Sequence, residues 1–113
     1  MTVIWHNPRC SKSRQALTLL EENVADITVR RYLDDTPTLA ELQEAQAQLG
    51  VSAIEMMRPG EALFKELGLS KNDPDEVLLR AMAEHPKLIE RPVVFAGGRA
   101  VIGRPPENVT DIL

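Results

Sequence analysis

Residues 3–20 of the chain read VIWHNPRCSKSRQALTLL. The apolar run at 3–5 predicts a short buried strand, because a strand covered on both faces shows no polar alternation. Apolar residues after Cys10 recur at helical spacing and predict a first helix that begins near Cys10 or Ser11. The hydroxyl of Ser11 or Ser13 is expected to cap this helix by accepting a free amide of its first turn. The stretch therefore predicts a strand, a proline-containing turn and a helix that starts at the cysteine.

The rest of the chain carries further strand and helix signals. A two-residue turn, Gly97-Gly98, predicts a hairpin because both positions can adopt positive φ. Alternation, capping-box and proline patterns predict, in chain order, a strand at 27–29, helix starts near 38, 52 and 73, hairpin strands at 93–95 and 100–102, and a short helix opened by Pro105-Pro106. Asp73 is expected to cap its helix, with Pro74 at the first helical position.

The order of these elements predicts an α/β fold. The first strand–helix–strand unit favours parallel pairing with a right-handed crossover, and the hairpin strands must pair antiparallel. We therefore expect a thioredoxin-like fold, with a mixed four-stranded sheet flanked by helices and a helical insertion of about fifty residues in the middle of the chain. All 113 residues, 1–113, are expected to form a single domain.

Composition excludes several classes of protein. No apolar run exceeds the four residues 93–96, so no membrane span is expected, and the first residues lack a basic leader followed by an apolar stretch. The lone cysteine, Cys10, excludes an internal disulfide and a thiolate-rich zinc site, so no metal is expected. The net charge of -4 argues against nonspecific nucleic-acid binding. A monomer in the reducing cytoplasm is the expectation.

Charge is distributed unevenly along the chain. Residues 1–20 and residues 91–104 each hold three basic residues and no acidic ones, whereas residues 21–90 hold 15 acidic and 7 basic residues. If the fold brings the two basic segments together, they form a local anion site. The alternative is an ordinary solvated surface of mixed charge.

Cys10 has the surroundings of a reactive thiol. A helix amino terminus offers free amides and a positive dipole end, which stabilise a thiolate and also bind tetrahedral oxyanions. Three neighbouring cations, Arg9, Lys12 and Arg14, add to this effect. The alternative is an inert buried cysteine. Because no second cysteine lies nearby, an external thiol would have to complete any redox cycle.

Four segments together resemble the glutaredoxin-coupled arsenate reductases, in order and over essentially the whole chain. They are HNPRCSKSR at 6–14, EMMR at 55–58, LIERPVV at 88–94 and IGRPPE at 102–107. The resemblance implies that Cys10 attacks arsenate, that glutathione then adds as a co-substrate, and that glutaredoxin reduces the product to release arsenite. It implies no bound cofactor. Many family members carry Gly-Thr after the cysteine, where this chain has Ser11-Lys12.

The resemblance also implies roles for individual side chains. The three arginines that bind the oxyanion in the family correspond to Arg58, Arg91 and Arg104, while His6 and Ser13 help to keep the thiol ionised. Guanidinium groups suit paired oxyanion oxygens. A cis peptide is implied between Arg91 and Pro92. The supporting residues are Asn7, Ser11, Lys12, Arg14 and Pro92.

Two alternative functions remain open at this stage. A glutathione-dependent thiol/disulfide oxidoreductase would need Cys10 but not all three arginines. A non-enzymatic, polymerase-binding regulator of the same fold would use a two-cysteine redox motif, whereas this chain has Ser13 in place of a second thiol. Elsewhere, Arg30, Arg31 and Arg80 are expected on the solvated surface.

Overall fold

A computed structural model describes residues 2–113. The strands are β1 (Thr2–Trp5), β2 (Ile27–Arg30), β3 (Val93–Ala96) and β4 (Arg99–Ile102). The α-helices are α1 (Ser11–Asn23), α2 (Leu39–Leu49), α3 (Ala62–Glu66) and α4 (Asp75–Glu84). Short 3₁₀ helices cover Ala53–Met56, Pro86–Leu88 and Pro106–Ile112. Within the described part of the chain, no helix combines the length and the apolar character that crossing a bilayer requires.

The four strands form one mixed sheet in the order β2-β1-β3-β4. β1 pairs parallel with β2, while β3 pairs antiparallel with both β1 and β4. The register sets Trp5 opposite Arg30 on one side and Val93 on the other, and Val93 opposite Ile102. The segments that follow Trp5, precede Val93 and follow Ile102 therefore all leave the same end of the sheet. This architecture confirms the thioredoxin-like α/β fold.

Internal contacts divide the chain into two compact units. One unit contains the residues through Asp35 together with Arg91–Leu113, and hence the whole sheet. In it, α1 packs against the 3₁₀ helix Pro106–Ile112, and their apolar faces cover one side of the sheet. Its buried core consists of Ile4, Ala16, Leu20, Val94 and Val109. The single domain over 1–113 stays a prediction.

The second unit, Thr36–Glu90, is the helical insertion. Its first helix, α2, begins with the expected capping box, in which Thr38 and Glu41 each accept the other's backbone amide at 3.1 and 3.0 Å. Gly50 ends α2 in the left-handed conformation, with φ 68°. The carboxylate of Asp75 accepts the Ala53 amide at 3.3 Å and thereby ties the start of α4 to the preceding 3₁₀ helix.

Two cap predictions are wrong in detail. The Asp73 carboxylate accepts the Ser70 amide at 2.9 Å in the preceding turn, so the helix cap is Pro74 and no side chain caps α4. Likewise, no side chain caps α1, whose N-cap residue is Cys10. The hydroxyl of Ser13 is instead turned toward the loop before the helix, where it accepts the Asn7 amide at 3.0 Å.

Arg30 corrects a third expectation, because it is not a solvated surface residue. Its side chain is only 17% exposed, its Nε lies 3.3 Å from Asp35 Oδ2, and its guanidinium lies 5.9 Å above the Trp5 ring. Trp5 in turn packs at 4.8 Å against the ring of Phe95. A strand-end arginine thus stabilises the aromatic pair beside the loop that follows β1.

Candidate active site

The loop between β1 and α1 is fixed by its own polar groups. Asn7 organises it, because its side-chain Oδ1 accepts the Arg9 amide and its carbonyl accepts the Cys10 amide, both at 3.0 Å. The guanidinium of Arg14 donates to the carbonyl of Pro8 at 3.0 Å and ties α1 back to the loop. These bonds hold the loop against the helix it precedes and so define the position of Cys10.

Cys10 occupies the N-cap position of α1. Its backbone is extended, with φ -95° and ψ 122°, and its carbonyl accepts the first helical bond from Arg14 at 3.0 Å. The amides of the first turn have no acceptor within a helix and point toward the cap. The half-buried thiol therefore lies at the positive end of the helix dipole while remaining open to solvent.

A guanidinium from the far end of the sequence lies against this thiol. Arg104 Nη1 is 3.9 Å from Cys10 Sγ and also donates to the Arg91 carbonyl at 3.3 Å. The sheet explains this contact, since Arg91 precedes β3 and Arg104 follows β4 at the end where β1 delivers the cysteine loop. The fold thus brings both basic segments of the sequence together at Cys10.

Two prolines shape the arginine segments. The Arg91–Pro92 peptide is cis, as the resemblance implied, and the Arg104–Pro105 peptide is also cis, which was not anticipated. Gly103 lies buried between them, with its amide bonded to the Pro92 carbonyl at 2.9 Å. This contact joins the residue before Arg104 to the residue after Arg91 and so holds the two arginines side by side.

His6 and Ser13 form a buried pair below the loop. His6 Nδ1 lies 2.6 Å from Ser13 Oγ, and both residues are at most 5% exposed. Burial lowers the pKa of His6, and the nearby positive charges of Arg31 and Arg14 lower it further. The imidazole is therefore neutral at pH 7, so any influence on Cys10 passes through hydrogen bonds rather than through a positive charge on His6.

The family follows from comparison with known proteins. A family model described as the ArsC family matches residues 5–112. The chain belongs to the ArsC family. An arsenate reductase of Neisseria meningitidis serogroup A is 53% identical over 112 residues, which cover 97% of this chain and 96% of the relative. An arsenate reductase of Haemophilus influenzae is 43% identical over 113 residues, covering 98% and 97%.

A solved structure shares the fold closely. The arsenate reductase from Vibrio cholerae superposes with a TM-score of 0.95 at 50% sequence identity, over 99% of this chain and 97% of that chain. The resemblance to arsenate reductases seen in the sequence is therefore confirmed at the level of the family, as is the fold that it implied.

Arg58 belongs to the other unit of this ArsC chain. Its Nη1 lies 2.7 Å from Glu61 Oε1, and its Nε lies 3.7 Å from Glu90 Oε1. Two backbone bonds around it, from its own amide to Leu88 and from Glu90 to Met56, fix its place between two extended segments. Within this unit the guanidinium is thus largely neutralised, and its role in oxyanion binding stays a prediction.

Sequence reasoning missed two contributors to the ArsC site. Arg31 is exposed, as expected, but its positive charge also lowers the pKa of His6, to which the bond from the His6 amide to the Arg30 carbonyl brings it close. The parallel pairing of β1 with β2 could have predicted this proximity, because it sets the residues after Trp5 beside the residues after Arg30. Gly103 gave no signal beyond its place directly before Arg104, because its packing depends on residues distant in sequence. Ser11 and Lys12, in contrast, lie exposed on the first turn of α1.

Proposed function

We propose that this protein is an arsenate reductase in which the Cys10 thiolate is the nucleophile. The observation that carries the proposal is the 3.9 Å contact between Arg104 Nη1 and Cys10 Sγ at the amino terminus of α1. One cation and a set of first-turn amides converge there on a half-buried thiol. The arsenate reductase names of relatives and of a structure at about half identity support the same substrate.

Binding precedes chemistry in this proposal. Arsenate binds next to Cys10, where first-turn amides and the guanidinium of Arg104 neutralise its oxygens. Arg91 supplies a second guanidinium. Arg58 supplies a third when the bound arsenate displaces the carboxylates with which its guanidinium is paired. Ser13, oriented by neutral His6 and the Asn7 amide, keeps the loop in the conformation that favours the thiolate.

The reaction then proceeds in four steps. Cys10 sulfur bonds to arsenic, and one arsenate oxygen leaves as water after taking up two protons. A thiol then condenses with an As–OH group, forming a second S–As bond and releasing water, while arsenic stays at As(V). Attack by another thiolate on that second sulfur forms a disulfide and leaves the bonding electron pair on arsenic, now As(III). Hydrolysis of the remaining S–As bond releases arsenite and regenerates Cys10.

The two reducing thiols come from outside the chain. Cys10 is the only cysteine, so no internal disulfide can form and the electrons must be supplied by other molecules. We assign glutathione as the condensing thiol and glutaredoxin as the protein that attacks it. Both need a reducing compartment, which gives the cytoplasm as the location. A monomer without bound cofactor suffices for this cycle.

The experiment is arsenate-dependent oxidation of glutathione in the presence of glutaredoxin. Cys10→Ser is expected to abolish turnover, and Arg104→Gln to lower it roughly 100-fold or more, the usual cost of removing one preorganised oxyanion donor. Arg99→Gln is the matched control, since Arg99 lies at the opposite end of β4 and its replacement removes the same charge. Background turnover by the wild-type protein with the complete thiol system would reject the proposal.

One observation favours a second candidate. The pairing of Arg58 with Glu61 and Glu90 weakens it as an anion ligand. A glutathione-dependent thiol/disulfide oxidoreductase would not need that arginine. Intact mass of the protein with glutathione disulfide, with and without arsenate, separates the two. A glutathione adduct on Cys10 that is indifferent to arsenate would favour the oxidoreductase.

A further inference from the structure

Two cations that flank Cys10 take no part in the steps of the proposed reaction. Arg9 directly precedes Cys10, and Lys12 is the second residue of α1. Both side chains are exposed, and neither forms an ion pair with any of residues 2–113. We refer to Arg9 and Lys12 as the outer cations.

The other cations of the loop are already engaged. Arg104 contacts the Cys10 sulfur and the Arg91 carbonyl, and Arg14 donates to the Pro8 carbonyl. These bonds fix their guanidinium groups, whereas the backbone bonds around Asn7 fix only the main chain of Arg9. The outer cations therefore present unneutralised charge to whatever approaches Cys10 from solvent.

The two basic segments themselves, residues 1–20 and 91–104, contain no acidic residue that would offset this charge. Asp35, which follows β2, is already paired with Arg30. Exposed charges act over a Debye length of about 8–10 Å at physiological salt, which spans the first turn of a helix. The approach to Cys10 thus has a positive potential that raises the local concentration of anionic reactants.

We propose that the outer cations Arg9 and Lys12 select the second reactant at Cys10 by charge, favouring a small thiol with a net negative charge. The inference rests on the proposed function for the step concerned, the condensation of that thiol with the Cys10–arsenic adduct. In that step the thiol proton and an arsenic-bound hydroxide leave as water, and one S–As bond forms. Once an oxyanion occupies the engaged guanidinium groups, the outer cations remain to steer the carboxylates of the incoming thiol.

A test independent of arsenate is the alkylation of Cys10 by iodoacetate and by iodoacetamide. The two reagents differ in charge. Both react with the thiolate, so the ratio of their rate constants does not depend on the fraction of Cys10 that is ionised. Arg9→Gln and Lys12→Gln are each expected to lower the iodoacetate/iodoacetamide ratio roughly two- to threefold at low salt, which is the effect that one unit charge would have on another across about 7 Å of water. The effect should shrink in 0.5 M salt.

Matched controls remove the same charges elsewhere. The control variants are Arg99→Gln and Lys71→Gln. Arg99 lies at the far end of the sheet, and Lys71 is exposed in the other unit. Neither is expected to change the ratio. Unchanged ratios in both Arg9→Gln and Lys12→Gln would overturn the charge selection.

Steady-state kinetics of arsenate reduction provide a second test. Glutathione carries a net charge of about -1 at neutral pH and its monoethyl ester about 0, from the ordinary pKa values of amine and carboxyl groups. Replacing both outer cations should raise KM for glutathione at least threefold and leave KM for the ester unchanged. Equal changes for both thiols would overturn the inference. Absence of arsenate turnover with either thiol in the wild-type protein would reject the proposed function instead, while the alkylation ratio would still decide the charge selection.

Discussion

Gly103→Ala tests how strictly the packing at the end of β4 controls the site. Gly103 is buried and stands between the strand and Arg104. A Cβ added at this position would lie 2.8 Å from Pro92 Cγ and 3.1 Å from Val109 Cγ1. Both partners are buried, and the first is part of a rigid ring, so neither can move aside freely.

The expected cost follows from those contacts. Carbon atoms pack optimally at about 3.5–4.0 Å, so the new methyl group would be at least about 0.7 Å too close to Pro92. Overpacking of this kind costs about 1–3 kcal/mol. The lower chain entropy of unfolded alanine offsets about 0.4–1 kcal/mol of it. A net loss of about 1–2 kcal/mol, the middle of the range that these two figures leave, lowers Tm by roughly 4–16 °C in a domain of this size.

Thermal unfolding monitored by circular dichroism measures this loss. Gly60→Ala is the matched control, because a Cβ there has nothing within 4 Å and Gly60 has no positive φ. The same variants should be assayed for alkylation of Cys10, since the displaced Arg104 is expected to slow that reaction in Gly103→Ala only. A Gly103→Ala protein that melts within about 1 °C of wild type would refute the packing argument.

Two further predictions concern the hydrogen bonds of each unit. Because the pKa of folded His6 lies below 6.5, its value in the unfolded chain, the unfolded state takes up the proton first and stability falls as pH decreases below 6.5. The free energy of unfolding should change by at most about 1.4 kcal/mol per pH unit. Urea unfolding at pH 7.5 and at pH 5.5 should therefore show a smaller loss of stability in His6→Gln than in wild type. Equal losses of stability in the two proteins would contradict a neutral buried imidazole. In the helical unit, Asp75→Ala removes the acceptor for the Ala53 amide and the Gln46 side chain and should cost about 1 kcal/mol by thermal melting. Glu66→Ala removes a comparable exposed carboxylate and should leave Tm unchanged; equal melting of the two variants would show that these bonds contribute nothing.

Local signals predicted most of the fold. The apolar run at 3–5, the capping box at Thr38 and the Gly97-Gly98 turn each depend on residues within a few positions, so the sequence contains all that decides them. Both glycines of the turn adopt positive φ, at 59° and 78°. The parallel pairing of β1 with β2 and the antiparallel pairing of β3 with β4 also followed, because a crossover connection favours the first and a hairpin requires the second.

The two cap predictions failed because each capping side chain had another hydrogen-bond partner nearby that suited it as well as the helix amide. Ser13 could cap α1, but the Asn7 amide and the His6 ring offer its hydroxyl two partners inside the preceding loop. Asp73 similarly bonds Ser70 rather than α4. Choosing between such partners requires the loop conformation, which depends on tertiary packing.

For the candidate site, the sequence predicted that basic segments could meet at Cys10, but not the partners of each arginine. The purely basic segments indicated that arginines could converge on Cys10, and the structure brings Arg104 to 3.9 Å from the sulfur. The carboxylate partners of Arg58 come from positions three and thirty-two residues later. No local pattern links Arg58 to Glu90, so charge counting could not foresee that pairing.

The sheet register has a consequence for how such proteins can diverge. Arg30 at the end of β2 and Val93 at the start of β3 both lie opposite Trp5, so these chain ends are only two strand spacings apart, about 10 Å. The helical segment therefore departs and returns through neighbouring points, much as a long loop does. Insertions or deletions within 36–90 can accumulate during evolution while the strand pairing that sets the cysteine beside Arg104 is inherited unchanged.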